Sequence, residues 1–106
     1  MKLIHESEIS PKIIEGKIGS VDAFDIIDEE IQAGVRIVKP NSDVPTRPHI
    51  HSQRQIIYVI EGSAEITNEK ETLQLNPGNF VVLEANEEHY VKTSDDEVKV
   101  FEIKYP

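Results

Sequence analysis

Three histidines stand where their side chains could bind one metal ion. His49 and His51 are separated by one residue in a segment predicted to be extended, and His89 opens a later strand. Residues i and i+2 of an extended chain project to the same side, about 7 Å apart. Imidazole nitrogens bind transition metals at about 2.1 Å, so two such rings can hold one ion. We therefore predict a metal site at His49 and His51, with His89 as a third ligand if its loop lies at the same end of the fold.

A fourth ligand is harder to place from spacing alone. Gln55 lies four residues beyond His51, which is about 13 Å along a straight strand. It can join the site only if the chain bends within the polar residues 52–54. The alternative is that Gln55 does not coordinate and that three histidines face the ion. Arg47 could reach an anionic ligand, although a solvated loop arginine is the simpler interpretation, and His5 is expected to be solvated near the N-terminus.

The elements that must position these side chains are strands. The chain has fifteen isoleucines and ten valines against four leucines, and β-branched residues favour the pleated surface of a sheet. Short apolar runs recur between turn signals, as in an all-β sandwich or barrel, and no long amphipathic helix is expected. The predicted strands cover residues 21–27, 31–37, 55–61, 63–67, 73–75, 80–83, 89–92 and 98–103, with a tight turn at 68–70. Residues 3–4 and 13–14 are candidate edge strands that could pair with a partner chain.

One predicted strand, residues 55–61, is apolar on both faces. Ile57 and Val59 point one way, whereas Ile56, Tyr58 and Ile60 point the other. A strand that is buried on both sides has this pattern. Its second face needs another sheet or another subunit as cover, and we predict a homodimer.

Composition excludes several other classes of function. The 106 residues suffice for one domain, and they include no cysteine, so disulfides, thiolate metal sites and cysteine nucleophiles are excluded. With no signal-peptide pattern, a cytoplasmic location is expected. The formal net charge of −9 would repel a phosphate backbone, so nucleic acid is not an expected partner. No apolar run approaches the roughly 18 residues of a membrane span.

The histidine spacing resembles the first motif of the cupin superfamily. That motif reads Gly, five residues, His-x-His, three or four residues, Glu, six residues, Gly. Here Asp43 is followed after five residues by His49 and His51, then after three by Gln55 and after six by Gly62. The spacing fits without a gap. Asp43 replaces a glycine, and Gln55 replaces the glutamate that serves as a metal ligand in the family.

The second cupin motif is matched by residues 78–93. It reads Gly, five residues, Pro-x-Gly, two residues, His, three residues, Asn. Here the corresponding positions hold Gly78, Glu84, Asn86, His89 and Thr93. The glycine and the histidine are kept, whereas the proline, the second glycine and the asparagine are replaced. Together the two motifs, at 43–62 and 78–93, cover about half of the chain.

The resemblance implies a single cupin domain over residues 1–106, with an all-β double-stranded β-helix, or jelly-roll, barrel. It implies a divalent transition metal (Fe, Zn, Ni, Cu or Mn) at His49, His51, His89 and, in place of the glutamate, Gln55. Three imidazoles and a neutral amide would leave the ion's charge near +2, which favours an anionic ligand. Small cupins include metal-dependent dioxygenases and isomerases, although no general base inside the barrel is evident from the sequence. The alternative is a non-catalytic module that binds a metal, a sugar or a small acid.

Overall fold

The computed structural model describes residues 1–68 and 70–106 and is built from strands. Ten strands and one short 3₁₀ turn account for its regular structure within these residues. The turn spans Glu6–Glu8, and the strands are β1 (Lys12–Glu15), β2 (Ser20–Asp28), β3 (Gln32–Val38), β4 (Asp43–Val44), β5 (Arg54–Glu61), β6 (Ala64–Thr67), β7 (Thr72–Leu75), β8 (Phe80–Leu83), β9 (Tyr90–Lys92) and β10 (Val98–Tyr105). The turn predicted over 68–70 contains Glu69, which lies outside the described residues. No helix in the described part of the chain is long and apolar enough to cross a membrane.

The strands form two antiparallel sheets. The larger sheet has the order β1-β2-β3-β10-β5-β8, and the smaller has the order β4-β9-β6-β7. Strands that are distant in sequence pair with each other, as β3 does with β10 and β4 with β9. This nested antiparallel pairing is the jelly-roll arrangement, so the predicted fold class is confirmed.

The core lies between the inner faces of the two sheets. Ile57 and Val59 of β5, which the alternation placed on one face, are almost fully buried, at 3% and 0% exposure, so this face points inward. They pack with side chains from both sheets: Val21, Val38, Val44, Ala64, Ile66, Leu75, Val81, Leu83, Val98 and Val100. This apolar packing supplies the main driving force for folding.

Two details of the sequence interpretation change. Residues 3–4 do not form a strand; the N-terminal segment instead makes the 3₁₀ turn, where Glu6 pairs with Lys99 of β10 at 2.7 Å. Residues 13–14 do lie in an edge strand, and β1 pairs with β2 of the same chain.

In β3, the even-numbered residues Arg36 and Val38 are buried, so a charged side chain lies on the inward face.

Candidate metal centre

Two loops meet at one end of the barrel and bring the two motifs together. The backbone N–H of Asn86, just before His89, donates to the carbonyl oxygen of His51 at 2.8 Å. Asn86 has a φ of 62°, a left-handed conformation that asparagine tolerates better than most residues. This explains why Asn86 can stand at a glycine position of the family motif. The link fixes the segment before β5 beside the segment before β9.

The three motif histidines lie together at this end of the barrel. The ring centroids of His49 and His51 are 5.2 Å apart, those of His49 and His89 are 4.8 Å apart, and those of His51 and His89 are 5.3 Å apart. Their ligand atoms all fall within 4.8 Å of one another. Donors on one ion stand about 3 to 4 Å apart, so the rings are slightly more open than they would be around a metal.

Backbone carbonyls orient two of these rings. The Nδ1 atom of His51 lies 2.9 Å from the carbonyl oxygen of Gln53, and that of His89 lies 2.9 Å from the carbonyl oxygen of Glu87. A carbonyl oxygen accepts only, so each Nδ1 carries the proton and donates it. Both Nε2 atoms therefore keep a free lone pair, which is the arrangement that prepares an imidazole to bind a metal.

Gln55 lies beside the histidines because the chain bends before β5 begins. The bend falls at Ser52 and Gln53, and it brings the amide oxygen of Gln55 to 3.0 Å from Nε2 of His51. Neighbouring ligands of an ion with bonds of about 2.1 Å are separated by about 3 Å when the bonds are perpendicular. The chemistry of this donor set, three imidazoles and one amide oxygen, therefore fits a divalent transition metal.

Burial also keeps the imidazoles in the form that binds metal. Burial lowers the pKa of His49 to about 4, and the positive fields of His89, Lys104 and His51 add to this effect. Burial likewise lowers the pKa of His89, partly opposed by its bond to the Glu87 carbonyl. A metal ion competes with protons for the same nitrogen, so these rings are available as ligands at neutral pH.

These shifts predict that acid destabilises the metal-free protein. Between pH 6.5 and 4, the unfolded state takes up protons at His49 and His89 before the folded state does, so the free energy of unfolding falls as the pH falls. For the half-buried His49 we expect a contribution of about 1 kcal/mol after solvent screening. Urea unfolding at pH 7 and 4.5 measures it. His49→Gln should lose less stability between these pH values than wild type, whereas His5→Gln, far from the site, should match wild type; equal losses in all three would contradict the assignment.

A cavity of about 90 Å³ extends from the histidines into the barrel. Its walls are largely apolar, but Arg36, Glu102 and Lys104 line it together with His49 and His89. Arg36 is 6% exposed and Glu102 is 9% exposed, and charged residues are rarely buried unless they are paired. The sequence indicated no general base inside the barrel, and it did not identify Glu102 as a carboxylate on the cavity wall.

The signal for Glu102 was present in the alternation of β10. Val98, Val100 and Glu102 share one face of β10, and Arg36 shares a face of β3 with Val38. The two strands are neighbours, with Arg36 opposite Val100. Because Val98 and Val100 face inward, the same alternation along β10 predicts that Glu102 also faces inward.

Arg47 and Thr93 have structural positions near the site. The Arg47 guanidinium lies 3.8 Å from the ring centroid of Tyr90 and 2.7 Å from the Asp43 carboxylate. It is therefore neither a freely solvated residue nor one that faces the cavity. Thr93 stands at the asparagine position of the family motif, and its hydroxyl accepts from the Ser42 N–H at 3.0 Å. These contacts hold the loops around β4 and β9 that flank the histidines.

The jelly-roll fold and the cluster of three histidines agree with the comparison with known protein families. Residues 34–104 match the family model of the cupin domain. The chain therefore belongs to the cupin family. No match was found among curated proteins.

Solved structures with the same fold include proteins of different kinds. The polyketide cyclase RemF from Streptomyces resistomycificus superposes with a TM-score of 0.81 at 23% identity, over 98% of this chain and 78% of the cyclase. A predicted oxalate decarboxylase from Thermotoga maritima gives 0.83 at 16% identity, over 98% of both chains. The cupin domain of an XRE family transcriptional regulator from Enterobacter cloacae gives 0.70 at 19% identity, over 81% of this chain and 96% of that domain. At these identities the similarity shows the fold, which hosts many unrelated functions.

Proposed function

We propose that the chain binds a divalent transition metal at His49, His51, His89 and Gln55 and uses it to bind a small anionic ligand through oxygen. The observation that carries the proposal is the convergence of the three histidines, whose ligand atoms lie within 4.8 Å of one another, with the Gln55 amide oxygen 3.0 Å from Nε2 of His51. His49 and His89 complete the cluster.

The charge of the site favours an anion. Imidazoles and an amide leave the charge of a bound ion uncompensated, and Lys104 lies directly opposite Gln55 in the strand register. Inside a largely apolar cavity, an uncompensated positive charge is costly. A small carboxylate or enolate that fits about 90 Å³ would supply the missing negative charge.

The proposed class of reaction is metal-dependent isomerisation or oxidation of a small oxygen-bearing acid. A bound ion would act as a Lewis acid that polarises a carbonyl or carboxylate oxygen. The chain's own residues hold the ligand nitrogens in the correct tautomer, present Lys104 to an anionic group and keep bulk water out with apolar walls. Because the fold also serves in a regulator domain, the second candidate is a module that binds the same acid without turnover.

Oxalate binding tests the proposal. We expect zinc-loaded protein to bind oxalate at least about a hundredfold more tightly than metal-free protein, because the ion contributes most of the attraction. Isothermal titration calorimetry measures both affinities, with neutral ethylene glycol as the matched ligand that should not bind. Equal oxalate affinity with and without zinc would refute the metal-centred function.

We also propose that the chain forms a homodimer through the outer face of the larger sheet. An apolar row crosses five strands in register: Phe24, Val35, Phe101, Tyr58 and Phe80. Phe80 is 68% exposed and packs against Tyr58 at a ring distance of 4.6 Å. Contiguous exposed apolar patches of this kind mark interaction sites.

A charge on this face should separate the subunits. Phe80→Glu is expected to convert a particle of about twice 12.0 kDa into a monomer, because the interface would bury a carboxylate without a partner. Light scattering after size exclusion measures the mass. Leu73→Glu, an exposed position on the smaller sheet, is the matched control and should remain dimeric. A wild-type mass of one subunit at micromolar concentration would exclude the dimer.

A further inference from the structure

The buried carboxylate of Glu102 is unusual in how loosely it is paired. Its Oε2 atom lies 3.5 Å from Nε of Arg36 and 3.8 Å from Nζ of Lys104. Both distances exceed the roughly 3.2 Å limit of a typical hydrogen bond. Within residues 1–68 and 70–106, no closer side-chain partner is found for this carboxylate. Arg36 instead forms a short ion pair with Asp25, in which Nη2 lies 2.6 Å from Oδ1.

Glu102 lies on the wall of the cavity that the histidines open into. Lys104 pairs in register with Gln55, and Glu102 pairs with Ile57. Residues two apart on a strand share a face, so Glu102 lies one step deeper in the barrel than the Gln55 amide. Glu102, His49 and His89 all line this cavity. The carboxylate is thus close enough to the candidate metal centre to meet a ligand bound there.

A purely structural role explains these contacts less well. A carboxylate kept to neutralise Arg36 would be expected to form short, paired hydrogen bonds with the guanidinium, because bidentate geometry is the stable form of such pairs. Here Asp25 occupies that position, and both contacts of Glu102 involve the same oxygen. The arrangement leaves Oε1 free of ion pairs among the described residues.

We propose that Glu102 is the proton acceptor for a ligand held at the metal, a role that rests on the proposed function. The substrate class is a small 2-keto acid with a hydrogen on the carbon next to its carbonyl. The C–H bond breaks, its electron pair moves to form the enolate of the ligand, and the proton passes to a Glu102 carboxylate oxygen. The same proton, or one exchanged with water, returns to carbon. Lys104, which is opposite Gln55 in the strand register and two residues from Glu102 on β10, binds the carboxylate end of the ligand.

Deuterium exchange tests this role. Zinc-loaded protein is incubated with pyruvate in D₂O, and loss of the methyl proton signal is followed by NMR. Glu102→Gln keeps the shape of the side chain but cannot accept the proton, so we expect exchange to slow at least about a hundredfold. Glu102→Asp retains the base on a shorter side chain and should lose only about tenfold. Oxalate resembles the enolate and needs no proton removal, so neither variant should bind it more weakly than wild type.

The outcomes distinguish a failure of the Glu102 role from a failure of the proposed metal-centred function. Exchange in Glu102→Gln within about threefold of wild type, with oxalate still bound, would overturn the role of Glu102. Oxalate binding without measurable exchange in wild type would overturn it too and leave the metal-centred function standing. Loss of zinc or of oxalate binding in both variants would show that Glu102 maintains the cavity instead. A wild-type protein that binds neither zinc nor oxalate would overturn the proposed function itself.

Discussion

Replacing His89 with alanine is expected to weaken zinc binding at least about a hundredfold, because a neutral nitrogen ligand with a free lone pair is removed. His89 is 4% exposed, and its Nδ1 donor is already used by the Glu87 carbonyl. Competition with a chromophoric chelator measures the affinity.

A matched control separates this effect from general damage. His5→Ala removes a histidine that caps the 3₁₀ turn, and it should leave zinc affinity unchanged. Circular dichroism checks that His89→Ala keeps its strand content. If the folded His89→Ala protein bound zinc as tightly as wild type, His89 would not be a ligand and the cluster would need another explanation.

Changing Gln55 to glutamate is expected to move metal and anion affinity in opposite directions. A carboxylate at the ion adds a full negative charge to a donor set that otherwise has none, so zinc affinity should rise at least about tenfold. The loaded centre then has a net charge of +1 instead of +2, so oxalate affinity should fall at least about tenfold. Gln55 is 2% exposed, so solvent screens neither effect strongly.

Gln53→Glu is the matched control for the added charge. Gln53 contacts His51 through its backbone carbonyl, so its side chain can change without altering a candidate ligand. Zinc and oxalate titrations of both variants should show the opposed shifts only in Gln55→Glu. If Gln55→Glu left both affinities within about twofold of wild type, Gln55 would lie outside the coordination shell.

The fold was largely predictable because its determinants are local. Alternation at period two and the turn at residues 76–79 indicated most of the strands. In that turn, Gly78 has a φ of 91° and the Asn79 N–H donates to the Asn76 carbonyl at 3.0 Å. The N-terminal segment was the exception. Its 3₁₀ turn is held by a side-chain cap at His5 and an ion pair to Lys99. Neither contact is indicated by the spacing of apolar residues in the sequence.

The candidate site was predictable in its residues but not in its geometry. The motif spacing identified the three histidines and Gln55. Their convergence depends on a hydrogen bond between Asn86 and His51 across 35 residues, and tertiary contacts of this kind leave no trace in a local pattern. The interior charges were missed for a different reason. In β3 the odd-numbered residues are apolar, and the pattern alone does not show that Arg36 lies on the buried side.

The metal content of the native protein tests the central claim most directly. Untagged protein would be purified without added metal and analysed for elements, beside a His49→Ala/His51→Ala double variant. We expect about one equivalent of a transition metal per chain in wild type and less than about a tenth of that in the variant. Iron or copper would then favour oxidation, and zinc or nickel would favour Lewis-acid chemistry. A wild-type protein that contains no metal and takes up none on reconstitution would contradict the account.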